Sequence, residues 1–124
     1  MGSHMNKKLL VISRHAPYGS SLPREALDVA LAAAVYDQDI GILFMDDGVF
    51  QLLKTQNPND ILQKNLASIL PALSLYGVDN IYVHKESLAE RNITINELIL
   101  DDAAILTSED VEKLLDQQDH LLSF

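Results

Sequence analysis

The stretch LLVISRHAPYGSS (Leu9–Ser21) contains the first strand and the first turn that the sequence predicts. It begins inside a short, nearly continuous apolar run, Lys7–Ser13, which is typical of a strand covered on both faces of a parallel sheet. A turn over Tyr18–Ser21 follows, and then helix formers over Leu22–Asp37, with Ser21 as the predicted N-cap. The stretch therefore predicts a strand–turn–helix unit, the basic piece of an α/β fold.

The same alternation of strand and helix continues to the end of the chain. The further predicted elements are a strand over Asp39–Gly48, a helix over about Ile61–Leu75 interrupted by Pro71, a strand over Asn80–His84, a short helix over Glu86–Asn92, a helix from Thr107 capped with Asp110, and a strand over His120–Phe124. The segment ELILDD (Glu97–Asp102) fits either a brief strand or a loop. This order predicts an α/β fold, a three-layer α/β/α domain with a mainly parallel sheet of about five strands.

Residues 1–4, MGSH, have the form of an expression-tag remnant, so we assign residues 5–124 to one domain. Hydrophobic residues make up 48% of the chain and charged residues 22%, a composition that favours a packed core over disorder. Apolar runs are too short for a membrane span or a signal peptide, and we expect a cytoplasmic protein.

Charge and cysteine content exclude several kinds of function. Eighteen acidic residues oppose nine basic ones, for a net charge of −9, so the chain is a poor candidate for direct nucleic-acid binding. The sequence has no cysteine, which excludes disulfides, thiolate metal sites and thiol nucleophiles.

The pair Arg14-His15, directly after the first strand, is a candidate for chemistry. A histidine phosphatase places its nucleophile this way, but it also needs a second histidine and further arginines to hold phosphate. Here Ala16-Pro17 follows the histidine where the usual motif has glycine, and only Arg24 and Arg91 complete the arginine set. A loop pair without catalytic function is therefore the favoured interpretation.

Other strand ends carry weaker signals. The Gly19–Ser21 turn before a helix could bind an anion but lacks the Walker lysine. Asp46-Asp47 and Asp101-Asp102 offer oxygen ligands for a hard cation, yet such pairs more often cap helices or stay solvated, and we predict no metal and no cofactor. Phe50, beside these carboxylates, suits either a protein interface or the core.

Several segments together resemble the TusC/DsrF family of DsrE/DsrF-like proteins. They are SRHAPYGSSLPREALDVALAAA, DIGILFMDDGVFQLL, LSLYGVDNIYVHKESLAERNI and the closing DHLLSF, in the same order along nearly the whole chain. The resemblance implies a DsrEFH-like α/β/α subunit. It also implies a cytoplasmic heterohexamer with TusB-like and TusD-like partners, two copies of each, which relays persulfide sulfur toward tRNA wobble-uridine thiolation.

In this family the sulfur is carried by a cysteine of the TusD-like subunit, just after the third strand. The resemblance places His84 at that position, and an imidazole cannot carry a persulfide. The chain is therefore expected to be a noncatalytic structural subunit. The residues expected to contact partners are Tyr18, Arg24, Asp46, Asp47 and Phe50.

Three alternatives stay open from the sequence alone. The first is a small phosphohydrolase that uses His15. The second is a subunit of a DsrEFH-type complex for sulfur oxidation, and the third is a homo-oligomeric module that binds a small ligand.

Overall fold

A computed structural model describes residues 7–36, 39–54, 68–100 and 102–124. The regular elements in chain order are β1 (Lys8–Ser13), α1 (Leu22–Ala34), β2 (Asp39–Phe44), β3 (Asn80–His84), α2 (Lys85–Glu90), β4 (Ala104–Leu106), α3 (Ser108–Asp116) and β5 (His120–Ser123). Three 3-10 segments lie between them, at Asp46–Leu52, Leu70–Tyr76 and Ile95–Glu97.

The five strands form one sheet in the order β4-β3-β2-β1-β5, and every pairing in it is parallel. The first four strands are added in one direction, so right-handed crossovers put their connections on one face. The connection from β4 to β5 runs back across the sheet and carries α3 on the opposite face. The three-layer α/β/α prediction is confirmed.

The two faces of the sheet bury very different amounts of apolar surface. Among the described residues the larger core holds eighteen buried ones, including Val11, Phe44 and Leu27 of α1. The smaller core holds five, where Val111 and Leu114 of α3 cover Leu10, Ile12 and Leu43. Because neighbouring residues of β1 enter opposite cores, both of its faces are buried, as its continuous apolar run predicts.

Of the two helix starts for which the sequence predicts a cap, one has the capping bonds and one does not. Thr107 and Asp110 form the predicted capping box of α3, in which each side chain bonds the other residue's backbone N–H. Ser21 occupies the N-cap position of α1, but its hydroxyl donates to the Glu25 carboxylate and does not cap.

Two regions differ in detail from the sequence prediction. The fourth strand is Ala104–Leu106. ELILDD begins at Glu97, the last residue of the 3-10 segment Ile95–Glu97, and among its described residues Leu98 forms an isolated bridge with Leu53. Residues 61–67 of the helix predicted over Ile61–Leu75 lie outside the described residues. Its described end is 3-10 helix from Leu70, consistent with the interruption expected at Pro71.

Candidate functional site

At the carboxyl ends of β3 and β4 the chain leaves two neighbouring strands toward opposite faces of the sheet. After β3 it enters α2, whose Leu88 packs in the larger core. After β4 it enters α3, whose Val111 packs in the smaller core. Such a switch point is where ligand sites of open α/β sheets usually lie.

His84 is the last residue of β3 and stands at this switch point. It is buried, with 9% of its surface exposed, and both ring nitrogens are engaged. Nδ1 lies 2.6 Å from Ser87 Oγ in α2, and Nε2 lies 2.8 Å from Ser108 Oγ in α3. The imidazole therefore bridges the starts of two helices on opposite sides of the sheet.

The donors and acceptors around His84 indicate which of its ring nitrogens carries the proton. Ser87 Oγ already accepts a bond of 2.9 Å from the backbone N–H of Asp46. The arrangement that also gives the Ser87 hydroxyl hydrogen an acceptor has it donate to His84 Nδ1, which leaves the ring proton on Nε2. His84 then donates from Nε2 to Ser108, so a single chain of hydrogen bonds runs from Asp46 to Ser108.

This chain of bonds is poorly suited to nucleophilic catalysis. Ser87 is the serine placed to give its proton to the imidazole, and it is completely buried, so no substrate reaches it. Ser108 faces the N–H of the ring, which cannot take a proton from it. The arrangement instead fixes the relative positions of β3, α2 and α3.

Hydrogen bonds and ion pairs hold the loop after β2 against the segments that follow β1 and β3. Asp46, in the left-handed region at φ +52°, accepts a bond of 2.8 Å from Arg14 Nε, and Asp47 accepts one of 3.0 Å from Arg91 Nε. Arg91 also donates to the Ser87 carbonyl at 3.1 Å. The Arg14–Asp46 pair is exposed on both sides, so it positions the loop and contributes little stability, whereas the Arg91 side chain is only 21% exposed.

Below this loop the chain packs unusually closely against the end of β1. A Cβ at Gly48 would lie 2.0 Å from the Ser13 carbonyl oxygen, so only glycine fits there. Gln51 is buried and donates from Nε2 to Ser13 Oγ at 2.7 Å and to the His15 carbonyl at 2.9 Å. Within the described residues its Oε1 is buried without a partner.

The structure places the site residues predicted from the sequence in different parts of the fold. Tyr18 is exposed in the β1–α1 loop, Arg24 pairs with Asp28 along α1, and Phe50 is half-buried against the larger core. Asp46 and Asp47 lie near His84. The Asp46 N–H bonds Ser87, which contacts His84, and Asp47 pairs with Arg91, which donates to the Ser87 carbonyl. Asp101 is outside the described residues, and Asp102 is exposed.

Sequence reasoning missed Ser87, Ser108 and Gln51. Ser87 lies three residues after His84, which is one turn of helix and a readable spacing. Ser108 follows His84 by 24 residues and Gln51 follows Ser13 by 38, and no local pattern links such pairs.

The arginines are not free to hold phosphate. All three arginines of the sequence pair with aspartates, in Arg14–Asp46, Arg24–Asp28 and Arg91–Asp47. The exposed His15 contributes only its backbone carbonyl to the hydrogen bonds described above. The geometry therefore gives no support to a phosphatase site at His15.

Two kinds of feature, a cluster of metal ligands and a membrane-spanning helix, are absent from the described part of the chain. Across residues 7–36, 39–54, 68–100 and 102–124, no three His, Asp or Glu side chains gather as metal ligands would. Over the same ranges, none of the helices has the length and apolar character needed to cross a bilayer.

These features define a class of protein. It is a small α/β/α domain with five parallel strands, in which a buried histidine at the switch point bridges the helices that follow two neighbouring strands. The family model for the DsrE/DsrF-like family matches residues 7–124, and the chain belongs to that family.

Individual relatives agree with this assignment. The chain is 40% identical to the protein TusC homolog of Pseudomonas aeruginosa over 96% of this chain and 99% of that one. It is 35% identical to the intracellular sulfur oxidation protein DsrF of Allochromatium vinosum, over 98% and 99% of the two chains. The crystal structure of the ychN protein from E. coli matches with a TM-score of 0.79 at 27% identity, over 97% of this chain and 100% of that one.

Proposed function

We propose that this chain is a noncatalytic structural subunit of a cytoplasmic, TusBCD-type sulfur-relay complex that takes part in 2-thiouridine formation at the tRNA wobble position. The observation that carries the proposal is the full-length similarity to the TusC homolog of Pseudomonas aeruginosa. The absence of cysteine supports the noncatalytic role, because sulfur relay needs a thiol that is sulfurated and then attacked.

The geometry at His84 supports the same role. If this position corresponds to that of the partner's carrier cysteine, this subunit has there a buried imidazole that two serine hydroxyls hold in place. Such a group stabilises the strand ends and has no sulfur chemistry. The partners of the proposed complex are TusB-like and TusD-like subunits, two copies of each with two of this chain.

Assembly is tested by co-expressing this chain with the TusB-like and TusD-like proteins of its source organism. Native mass spectrometry is expected to find a heterohexamer containing two copies of each chain. A cysteine desulfurase and its substrate are then added, and intact-mass measurement is expected to find added sulfur on the TusD-like chain and none on this one. A chain that stays a homo-oligomer in the presence of both partners contradicts the proposal.

The biological pathway is tested by deleting the gene and measuring 2-thiouridine in tRNA by mass spectrometry. We expect the modified nucleoside to be lost, and to return when the wild-type gene is restored. Restoration with His15→Ala is expected to succeed as well, since the proposed function does not use that imidazole. A purified protein with phosphatase activity that His15→Ala abolishes would refute the structural role.

The second candidate is a subunit of a DsrEFH-type complex for sulfur oxidation, favoured by the 35% identity to DsrF of Allochromatium vinosum. The two candidates differ in the phenotype of the same deletion. Normal 2-thiouridine with impaired oxidation of stored sulfur would select the second.

A further inference from the structure

The structure assigns a polar cavity at the amino ends of β1, β2 and β3 to the binding of a small α-amino acid in its zwitterionic form. The cavity has a volume of about 50 Å³ and lies between the starts of these strands and the end of α3. His84 stands at the opposite, carboxyl end of β3. The cavity is therefore separate from the switch point, and binding there does not require the proposed function.

The three strands begin with polar residues that lie together. Lys8 and Asp39 are partners in the register of β1 and β2, and Asn80 begins β3; all three line the cavity. Because side chains alternate between the faces of a sheet, Lys8 lies on the same face as Leu10, and Asp39 on the same face as Leu43. Both leucines belong to the smaller core, which α3 covers. The polar side chains therefore meet beside the end of that helix.

The cavity wall is formed by a close contact in the sheet and by the end of α3. A Cβ at Gly41 would lie 3.0 Å from Tyr82 Cε2, so this glycine lets the phenol ring pack against β2. α3 ends at Asp116, and Gln118 just beyond it donates from Nε2 to the Leu114 carbonyl at 3.1 Å. The remaining space holds about four groups the size of water, which suits a molecule as small as free glycine or alanine.

Two opposite charges line the cavity without pairing with each other. Lys8 and Asp39 begin neighbouring strands, yet among the described residues neither side chain forms an ion pair. Asn80 Nδ2 donates to Asp39 Oδ1 at 3.1 Å, which orients the carboxylate and leaves Oδ2 for another donor. A lysine and an aspartate in this arrangement complement a ligand that carries one carboxylate and one ammonium group.

The hydroxyl of Tyr82 is a third group that a ligand can use. The side chain is half-buried against the smaller core, and among the described residues its oxygen has no hydrogen-bond partner. Burial first, and the Asp39 carboxylate second, raise the pKa of this phenol above 10.0, so the group keeps its proton. Its oxygen is then an acceptor beside Asp39 for the ammonium group of the ligand.

Other small ligands fit this lining less well. A hard cation needs several carboxylate oxygens, and within the described ranges no three His, Asp or Glu side chains gather. A phosphate would have a single lysine and would meet the Asp39 carboxylate. A zwitterion satisfies both charges of the cavity and adds no net charge to a chain that already carries −9.

Binding is tested by adding free glycine to the isolated, isotope-labelled chain at constant ionic strength. The backbone amide NMR signals of Gly41, Asn80 and Gln118 are expected to shift and to saturate, with a Kd on the order of 1 mM. Methylammonium and acetate each carry only one of the two charges, so we expect them to bind at least about tenfold more weakly. Shifts that rise without saturation, or that methylammonium or acetate reproduces at the same concentration, overturn the inference.

Two variants test the groups that face the ligand ammonium. Asp39→Asn keeps the size of the side chain and is expected to weaken glycine binding at least about tenfold, and Tyr82→Phe at least about threefold. Glu86→Gln is the matched control for charge, because that exposed carboxylate lies beyond the other end of β3. Tyr76→Phe is the control for the hydroxyl, since Tyr76 is 64% exposed and outside the cavity. Both controls are expected to bind glycine like the wild type.

Thermal unfolding of each variant by circular dichroism checks that it folds, and the comparison of glycine with methylammonium and acetate needs no variant. An Asp39→Asn chain that folds and binds glycine like the wild type overturns the inference, as does an equal loss in Asp39→Asn and Glu86→Gln. These outcomes leave the proposed function standing, because that function is tested by assembly of the three chains.

Discussion

The imidazole of His84 connects two serines, Ser87 and Ser108, whose helices cover opposite faces of the sheet. The sequence predicts that a histidine ends the third strand, because the apolar run stops there. It does not predict the two hydroxyls, since one of them belongs to an element that only the folded sheet brings close. Asp46 and Asp47 show the same limit: their spacing suggests ligands or contacts, whereas the fold pairs them with Arg14 and Arg91.

Replacing His84 by alanine is expected to lower the free energy of unfolding by about 1–3 kcal/mol, because two buried or half-buried hydroxyls lose their partner and a small cavity forms. Urea unfolding followed by circular dichroism measures the change. His15→Ala is the control, since that side chain is exposed, and is expected to change stability by less than about 0.5 kcal/mol. Equal effects of the two substitutions would show that the bridge contributes nothing.

Tyr82 gives the chain a defined pH dependence. Its pKa is raised above the ordinary value of 10.0, first by burial of the phenol and second by the nearby Asp39 carboxylate. Because the folded state holds this proton more tightly than the unfolded state, its contribution to stability is present below pH 10 and is lost as the pH rises through the folded-state pKa. In an ultraviolet titration we expect Tyr82 to ionise above pH 10, so that Tyr82→Phe removes a component from that part of the curve; a curve above pH 10 that Tyr82→Phe leaves unchanged would contradict this.

At the scale of elements, the sequence predicts the alternation of strands and helices, but it does not predict several of their boundaries. Thr107 and Asp110 mark the start of α3 because a capping box is a local arrangement. The strand Ala104–Leu106 has three residues and is only partly buried, so its hydrophobic pattern is too short to detect. The 3-10 segment after β2 depends on Gly48 meeting the Ser13 carbonyl, a tertiary contact that composition does not reveal.

Thr107→Ala is expected to destabilise the protein by about 1 kcal/mol, because the hydroxyl that accepts from the Asp110 N–H is lost at the start of α3. The comparison variant is Thr94→Ala, which removes a similar box from the three-residue segment Ile95–Glu97. That segment buries no residue, so we expect a change below about 0.5 kcal/mol. Thermal unfolding of both variants decides, and a larger effect at Thr94 would be the contrary result.

At the scale of the whole molecule, the sequence predicts a parallel sheet but not the order of its strands. Apolar runs report that a strand is buried on both faces, and they carry no information about its neighbours. The unequal cores follow from that order, since the connection from β4 to β5 runs back across the sheet and, within the described residues, α3 is the helix that covers this face.

This inequality predicts that α3 opens before the rest of the domain. Native-state hydrogen exchange in low urea is expected to give the α3 amides a lower opening free energy than those of β1 and β2, because five of the described buried residues form its core and eighteen form the other. Leu114→Ala should lower the α3 values further. Exchange of α3 only through global unfolding, with the same free energy as β2, would contradict the prediction.

The pairing of β1 with β5 has a consequence for how this chain is made. Leu9 pairs with His120, so β1 leaves the ribosome long before β5, the strand that completes the sheet on that side. Until then Leu10 and Val11, fully buried in the finished fold, border an open edge. Pairings of such long range slow folding and leave the nascent chain prone to aggregate. Slow completion of this side of the sheet during synthesis is thus a consequence expected from the strand order itself.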